Sequence, residues 1–290
     1  MSLLDRNCVS NSVPSYAFHN LFKDCKGLIE APELPVTSLN NNCYSRMFFG
    51  CSNLVKAPVL PATELALGCY EYMFYNCTSL TLAPDLPAVE LASGCYCHMF
   101  EGCVGLSKMP ELPAKILAPI CYDSMFRGCT SLTKASELPA TALAEQSYSS
   151  MFSGCTNLIE APSILPAMTL TKNCYSHMFR DCGSLVDGPE LPATELAELC
   201  YWGMFTNCTS LTKAPELPAK TLSEGCYEGM FWECNNLSYV KALFVNVPPK
   251  TLSSNWLVHV ASTGTFVKSK DATWDVKDCG IPEGWTVVTE

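Results

Sequence analysis

The sequence predicts an α/β repeat solenoid of nine units, each about 26 residues long, with a short parallel strand on one face and helical turns on the other. Two observations predict it. Met-Phe pairs recur at Met47-Phe48, Met73-Phe74, Met99-Phe100, Met125-Phe126, Met151-Phe152, Met178-Phe179, Met204-Phe205 and Met230-Phe231, a step of 26 residues broken once by a step of 27, with a degenerate copy at Leu21-Phe22. Each pair also opens a fixed frame: a Cys three residues after the Phe, a Leu three after the Cys, then an A-P-x-L-P stretch. A unit this short cannot bury its own apolar face, so the copies must stack into one continuous core.

Each element follows from the residues of the unit. In "CYEYMFYNC", Cys69 and Met73 are four apart, as are Tyr70 and Phe74, which predicts a helical turn or two. Gly50, Asn76, Gly102, Gly128, Gly154 and Asn207 precede the second Cys; these residue types tolerate positive φ and would end the turn. The following "LTKAPELP" is extended, because Pro215 and Pro218 exclude an α-helix. Proline has no N–H, so the expected strand is about three or four residues long, and nine rungs at about 4.8 Å make a body on the order of 40 Å. The repeats run over 17–252, and the longer step comes from one extra residue near Ile164. Residues 1–16 are expected to cap the first unit and 253–290 to form a C-terminal β cap, with "GTFVKS" and "GWTVV" as strands and Trp256, Trp274 and Trp285 over the open end.

Composition excludes several classes of function. The 290 residues carry 18 Lys+Arg against 28 Asp+Glu, a formal charge of -10, so no basic face for nucleic acid is expected. Apolar residues reach 48%, enough for a core and too many for a disordered chain. No apolar run approaches the ~18 residues of a membrane span. The opening "MSLLDRNC" lacks the basic start and apolar core of an export signal, so an exported protein would have to come from a longer native chain.

The 19 Cys are the other abnormal count, and 16 of them belong to the repeat. An internal disulfide such as Cys43–Cys51 is one reading. Against it, Ala17 stands where the first Cys would be while Cys25 is kept, and Ser147 replaces a first Cys while Cys155 is kept. Paired cysteines should be lost together, so buried thiols acting as small hydrophobes are the preferred reading. Cys95, Cys97 and His98 form a close Cys/His cluster, but a zinc site needs about four ligands and no second Cys pair stands at the required distance. No metal or cofactor is therefore expected. The chain is not expected to be an enzyme either: His19, His98, His177 and His259 lack a fixed nucleophile or carboxylate partner, and no phosphate loop is present.

Two variable rows flank the expected strand. One holds Glu30, Lys56, Leu82, Lys108, Lys134, Glu160, Asp187, Lys213 and Tyr239; the other holds Glu33, Val59, Asp85, Glu111, Glu137, Ser163, Glu190 and Glu216. The candidates for partner binding are Lys56, Leu82, Asp85, Lys108, Glu111, Lys134, Glu137, Glu190, Lys213 and Glu216, since sheet faces of repeat proteins are extended binding surfaces. A solvated charged face is the plain alternative, and a weak Ca²⁺ site between stacked carboxylates is a third. Within a unit, Lys108 is placed to offset Glu111, and Lys134 to offset Glu137. Glycan binding would need exposed aromatic residues, and none cluster outside the C-terminal cap.

The M-F-x-x-C-x-x-L unit with its extended Leu/Pro segment resembles the BspA-like leucine-rich repeats of bacterial surface proteins, over residues 17–252. The tail "ASTGTFVKSK…GIPEGWTVV" is similar to the segment that closes such arrays. The resemblance implies a leucine-rich-repeat-like solenoid, secreted or displayed on the cell surface. It implies a non-catalytic adhesin binding a protein ligand, such as a host matrix or surface protein. The alternative is a structural spacer or a virion-fibre scaffold.

Overall fold

The computed structural model of the chain describes residues 13–246, 255–275 and 279–290. Of the expected N-terminal cap, residues 1–12 lie outside the described residues, as do 247–254, which hold the end of the ninth repeat and the expected boundary at 253. The described units stack in register, each residue lying beside its equivalent one unit on.

The segment from Asn40 to Cys51 shows how. Cys43, Ser45, Met47, Phe49 and Cys51 each donate a backbone N–H to the carbonyl three residues back. The alternate residues Asn42, Tyr44, Arg46, Phe48 and Gly50 donate instead to the next unit, at Leu67, Cys69, Glu71, Met73 and Tyr75. The result is a ribbon of overlapping β-turns in which every second amide bonds across the stack. Positive φ recurs every fourth residue, at Asn42, Arg46 and Gly50, the third position of every second turn, as type II geometry requires.

This corrects the expected helical turns: among the described residues there is no α-helix. The four-residue spacing is real but belongs to the ribbon. Cys43, Met47 and Cys51 all point inward and are fully buried, whereas an α-helix would rotate the third of them by about 80° from the first. An α-helix would also satisfy its amides internally. The ribbon leaves half of them to tie one unit to the next. The Gly and Asn residues before the second Cys do adopt positive φ, Gly102 at 74° and Asn207 at 60° for example, but they continue the ribbon rather than end a helix.

The ribbon's inner side builds the core. Tyr44, Tyr70, Tyr96, Tyr122, Tyr148, Tyr175, Tyr201 and Tyr227 form one stacked column, with ring centroids 5.6–6.1 Å apart. Phe22 through Phe231 form a second, at 5.5–5.9 Å. Trp256 closes both, 6.1 Å from Tyr227 and 6.4 Å from Phe231.

The strand side is thinner than expected. In the repeats the parallel strands shrink to isolated bridges, such as Lys134↔Glu160 and Asp187↔Lys213. Proline is the cause, because A-P-x-L-P removes two donors from a six-residue stretch. The chain contains its own control. Where "KAPELP" gives way to "YVKALF", a true strand forms: β1 (Tyr239–Ala242) pairs in parallel with β2 (Gly264–Lys268), and β2 with β3 (Trp285–Thr289).

The thiols of the repeats form no disulfide, and all but Cys25 are buried. In each M-F-x-x-C position the thiol donates to a Phe carbonyl of the preceding unit, Cys51 to Phe22 at 2.9 Å and Cys129 to Phe100 at 3.2 Å. That same carbonyl accepts the backbone N–H of its own unit's Cys. The thiol thus occupies the second lone pair of a buried carbonyl, a task that Ala or Val could not perform. Burial pushes the Cys155 and Cys234 thiols up to about 12, so they remain protonated donors and poor nucleophiles.

Candidate functional site

The two variable rows lie on the bridge side. Lys56 pairs with Glu30, Lys108 with Leu82, and Lys213 with both Asp187 and Tyr239 as parallel bridge partners, so the first row runs in register along the stack. The side chains of both rows are exposed apart from half-buried Tyr239. The ten candidates divide between two grooves and the exposed stretch that lies between them. Lys56, Leu82 and Asp85, with Val55 and Val59, line a groove of about 310 Å³. Glu190, Lys213 and Glu216, with Asp187, Tyr239 and Lys241, line one of about 540 Å³. Lys108, Glu111, Lys134 and Glu137 stand between them, exposed.

The charges pair differently from the sequence reading. Lys134 reaches across the stack to Glu160 at 2.6 Å, not to Glu137 within its own unit. Glu137 instead accepts from the Ser163 hydroxyl at 2.8 Å and from the Ser163 backbone N–H. Lys56 lies 4.0 Å from Glu30, and Lys241 bridges Glu216 and Glu290 at 3.2 and 2.8 Å. Among the described residues no ion pair joins Lys108 to Glu111. Pairs across the stack follow from register: the nearest neighbour of a row residue is its equivalent one rung away, about 4.8 Å off. These exposed pairs set the pattern of the surface and add little stability.

Two features extend the sequence reading, which places Val59 and Leu82 in the variable rows without a groove between them. The first groove carries exposed apolar side chains, Val59 at 78% and Leu82 at 62%, and a further groove of about 530 Å³ includes Val89 and Ile116. Aromatic residues are also exposed outside the expected cap, since Trp202 and Trp232 stand 38% and 43% open on the ribbon's outer side. A period of four along the ribbon, rather than 3.6, would have placed both outward.

The ribbon's outer side also holds a polar cluster. Cys97, His98 and Asp123 bring a thiol, an imidazole nitrogen and a carboxylate oxygen within 4.8 Å of one another. His98 Nδ1 bonds to the Glu101 carboxylate, and its Nε2 lies 3.9 Å from Asp123 Oδ2. The other Glu101 oxygen is 3.8 Å from Arg127. The Tyr72 ring stacks on His98 with centroids 4.3 Å apart. Burial pushes the Asp123 carboxyl above its ordinary range, and burial with the carboxylates of Asp123, Glu71 and Glu101 pushes the Cys97 thiol up. Cys95, grouped with this pair in sequence, points the opposite way into the core and is fully buried.

No protein-family model and no curated protein matches the chain. Solved structures similar to it include a leucine-rich repeat protein of T. pallidum, 18% identical, covering 61% of this chain and 72% of that one, with a TM-score of 0.36. A leucine-rich repeat protein from Bacteroides ovatus is 15% identical, covers 96% of this chain and 87% of its own, and has a TM-score of 0.29. A TLR13 complex with a single-stranded RNA is 12% identical, covering 87% of this chain and 39% of that one, with a TM-score of 0.32.

Proposed function

We propose that this chain is a non-catalytic, BspA-like leucine-rich-repeat protein, secreted or held at the cell surface. It acts as an adhesin that engages a host or bacterial protein through its bridge-side face. One observation carries the reading. The units are nearly identical where they face the core and differ from one another where they face solvent, in two exposed rows that change charge and size from rung to rung. Uniform burial serves stacking; a varied, exposed and grooved face serves recognition of one partner. The combination of apolar Val59 and Leu82 with charged Lys56 and Asp85 suits a protein surface of mixed character.

The test is a binding screen of the purified chain against host matrix and plasma proteins. Beside it runs a variant with Lys108, Glu111, Lys134 and Glu137 reversed in charge together. The expected result is saturable binding that the variant loses while keeping its fold. The unbroken regularity of the stack favours a second reading, a structural spacer, which predicts binding to none of them and indifference to the four changes.

A further inference from the structure

We propose that Cys97, His98 and Asp123 form a zinc site on the outer side of the turn ribbon, with Glu101 as the residue that orients the imidazole. A thiol, an imidazole and a carboxylate converge there, which is a donor set suited to a borderline-soft divalent cation. The imidazole carries the second argument. Glu101 accepts from Nδ1–H, so in the neutral ring Nε2 is left as an acceptor, 3.9 Å from the acceptor Asp123 Oδ2. Two acceptors facing each other repel unless a proton or a cation lies between them. A zinc ion with ligand bonds of about 2.0–2.3 Å fits between groups at roughly this separation, after a small inward movement. A carboxylate on the far nitrogen of a ligating histidine is the usual outer-shell arrangement of such sites, because it fixes the tautomer and raises the basicity of the ligand.

The backbone brings the donors together before any ion arrives. Cys97 and Asp123 occupy equivalent positions of adjacent units, and the His98 backbone N–H donates to the Asp123 carbonyl at 2.8 Å. Stacking on Tyr72 holds the plane of the imidazole, and Arg127 holds the second oxygen of Glu101. Three protein ligands leave one position for water or for a group of a bound partner. Binding displaces the Cys97 proton, so affinity rises with pH.

The test uses the whole chain, reduced, stripped with chelator and titrated with Co²⁺ as a coloured stand-in for Zn²⁺. The expected result is one equivalent of bound Co²⁺ with a thiolate-to-metal charge-transfer band that Zn²⁺ abolishes. Cys97→Ser removes the band, and Ser149 and Ser176 already occupy this row in other units, so the variant keeps its fold. Asp123→Asn and Glu101→Gln each weaken binding about 10–100-fold. Cys25→Ser, at the exposed thiol, changes nothing. Absence of a stoichiometric thiolate band, or a band that survives Cys97→Ser, overturns the proposal.

Discussion

The two sides of each unit solve the same stacking problem with unequal means. From Tyr122 to Cys129 every backbone N–H donates, alternately within the unit and to the next one. From Ser107 to Leu117 only the two end amides donate to another backbone carbonyl. The first stretch lies over columns of Tyr, Phe, Met and Cys that are almost wholly buried; the second carries the exposed rows. The difference teaches that cohesion is concentrated on the ribbon side, which leaves the bridge side free to vary. Proline sustains this division by keeping the bridge side from becoming a sheet, as the proline-free β1 shows.

Alkaline pH attacks the ribbon side most strongly. Burial raises Cys43 and Cys51 to about 11, and Cys103, Cys121, Cys174 and Cys226 to about 12. Above pH 9 the unfolded chain loses these protons while the folded chain keeps them. Stability is therefore full below about pH 9 and falls as pH rises towards 11–12, each thiol contributing up to about 1.4 kcal/mol per pH unit. Urea unfolding at pH 7, 9 and 10.5 checks this, and a flat profile would mean that the thiols are not buried. Next in size is a break in one column. Phe126→Ala is expected to cost about 3–5 kcal/mol, and in a stack whose units touch only their neighbours it should split the unfolding transition.

Ser147 makes a finer probe. It stands in the Cys column, fully buried, with its hydroxyl lacking a hydrogen-bond partner. Ser147→Cys is expected to stabilise the chain by about 1–2 kcal/mol, by restoring the column and removing an unsatisfied polar group; a loss of stability would show that the hydroxyl has a partner after all. Smaller still is the effect of charge reversal at Lys108, Glu111, Lys134 and Glu137. At these exposed positions each change is expected to stay within about 0.5 kcal/mol, a contrast with the ribbon side that thermal melts would expose directly.

Much of this division could be read in the sequence. The 26-residue register aligned Lys56, Lys108 and Lys213 on one row, and the unequal loss of Cys at Ala17 and Ser147 favoured free thiols. The ribbon was not legible, because over nine residues a period of 4.0 and one of 3.6 put nearly the same side chains together; only the inward direction of Cys43, Met47 and Cys51 alike separates them. Strand length was overestimated because two prolines in six residues leave too few donors for a ladder. The polar cluster was half seen. Cys97 and His98 are neighbours in sequence, but Asp123 joins them only through the 26-residue offset, and a search for ligands along one segment cannot find a partner that lies one rung away.

Residue-resolved amide hydrogen exchange tests the central claim most directly. The account predicts that the amides from Tyr122 to Cys129 exchange slowly and together, close to the rate set by global unfolding. Those of Lys108, Glu111 and Leu112 should exchange orders of magnitude faster. Equal protection of both stretches, as a continuous multi-residue strand on the bridge side would give, would contradict it.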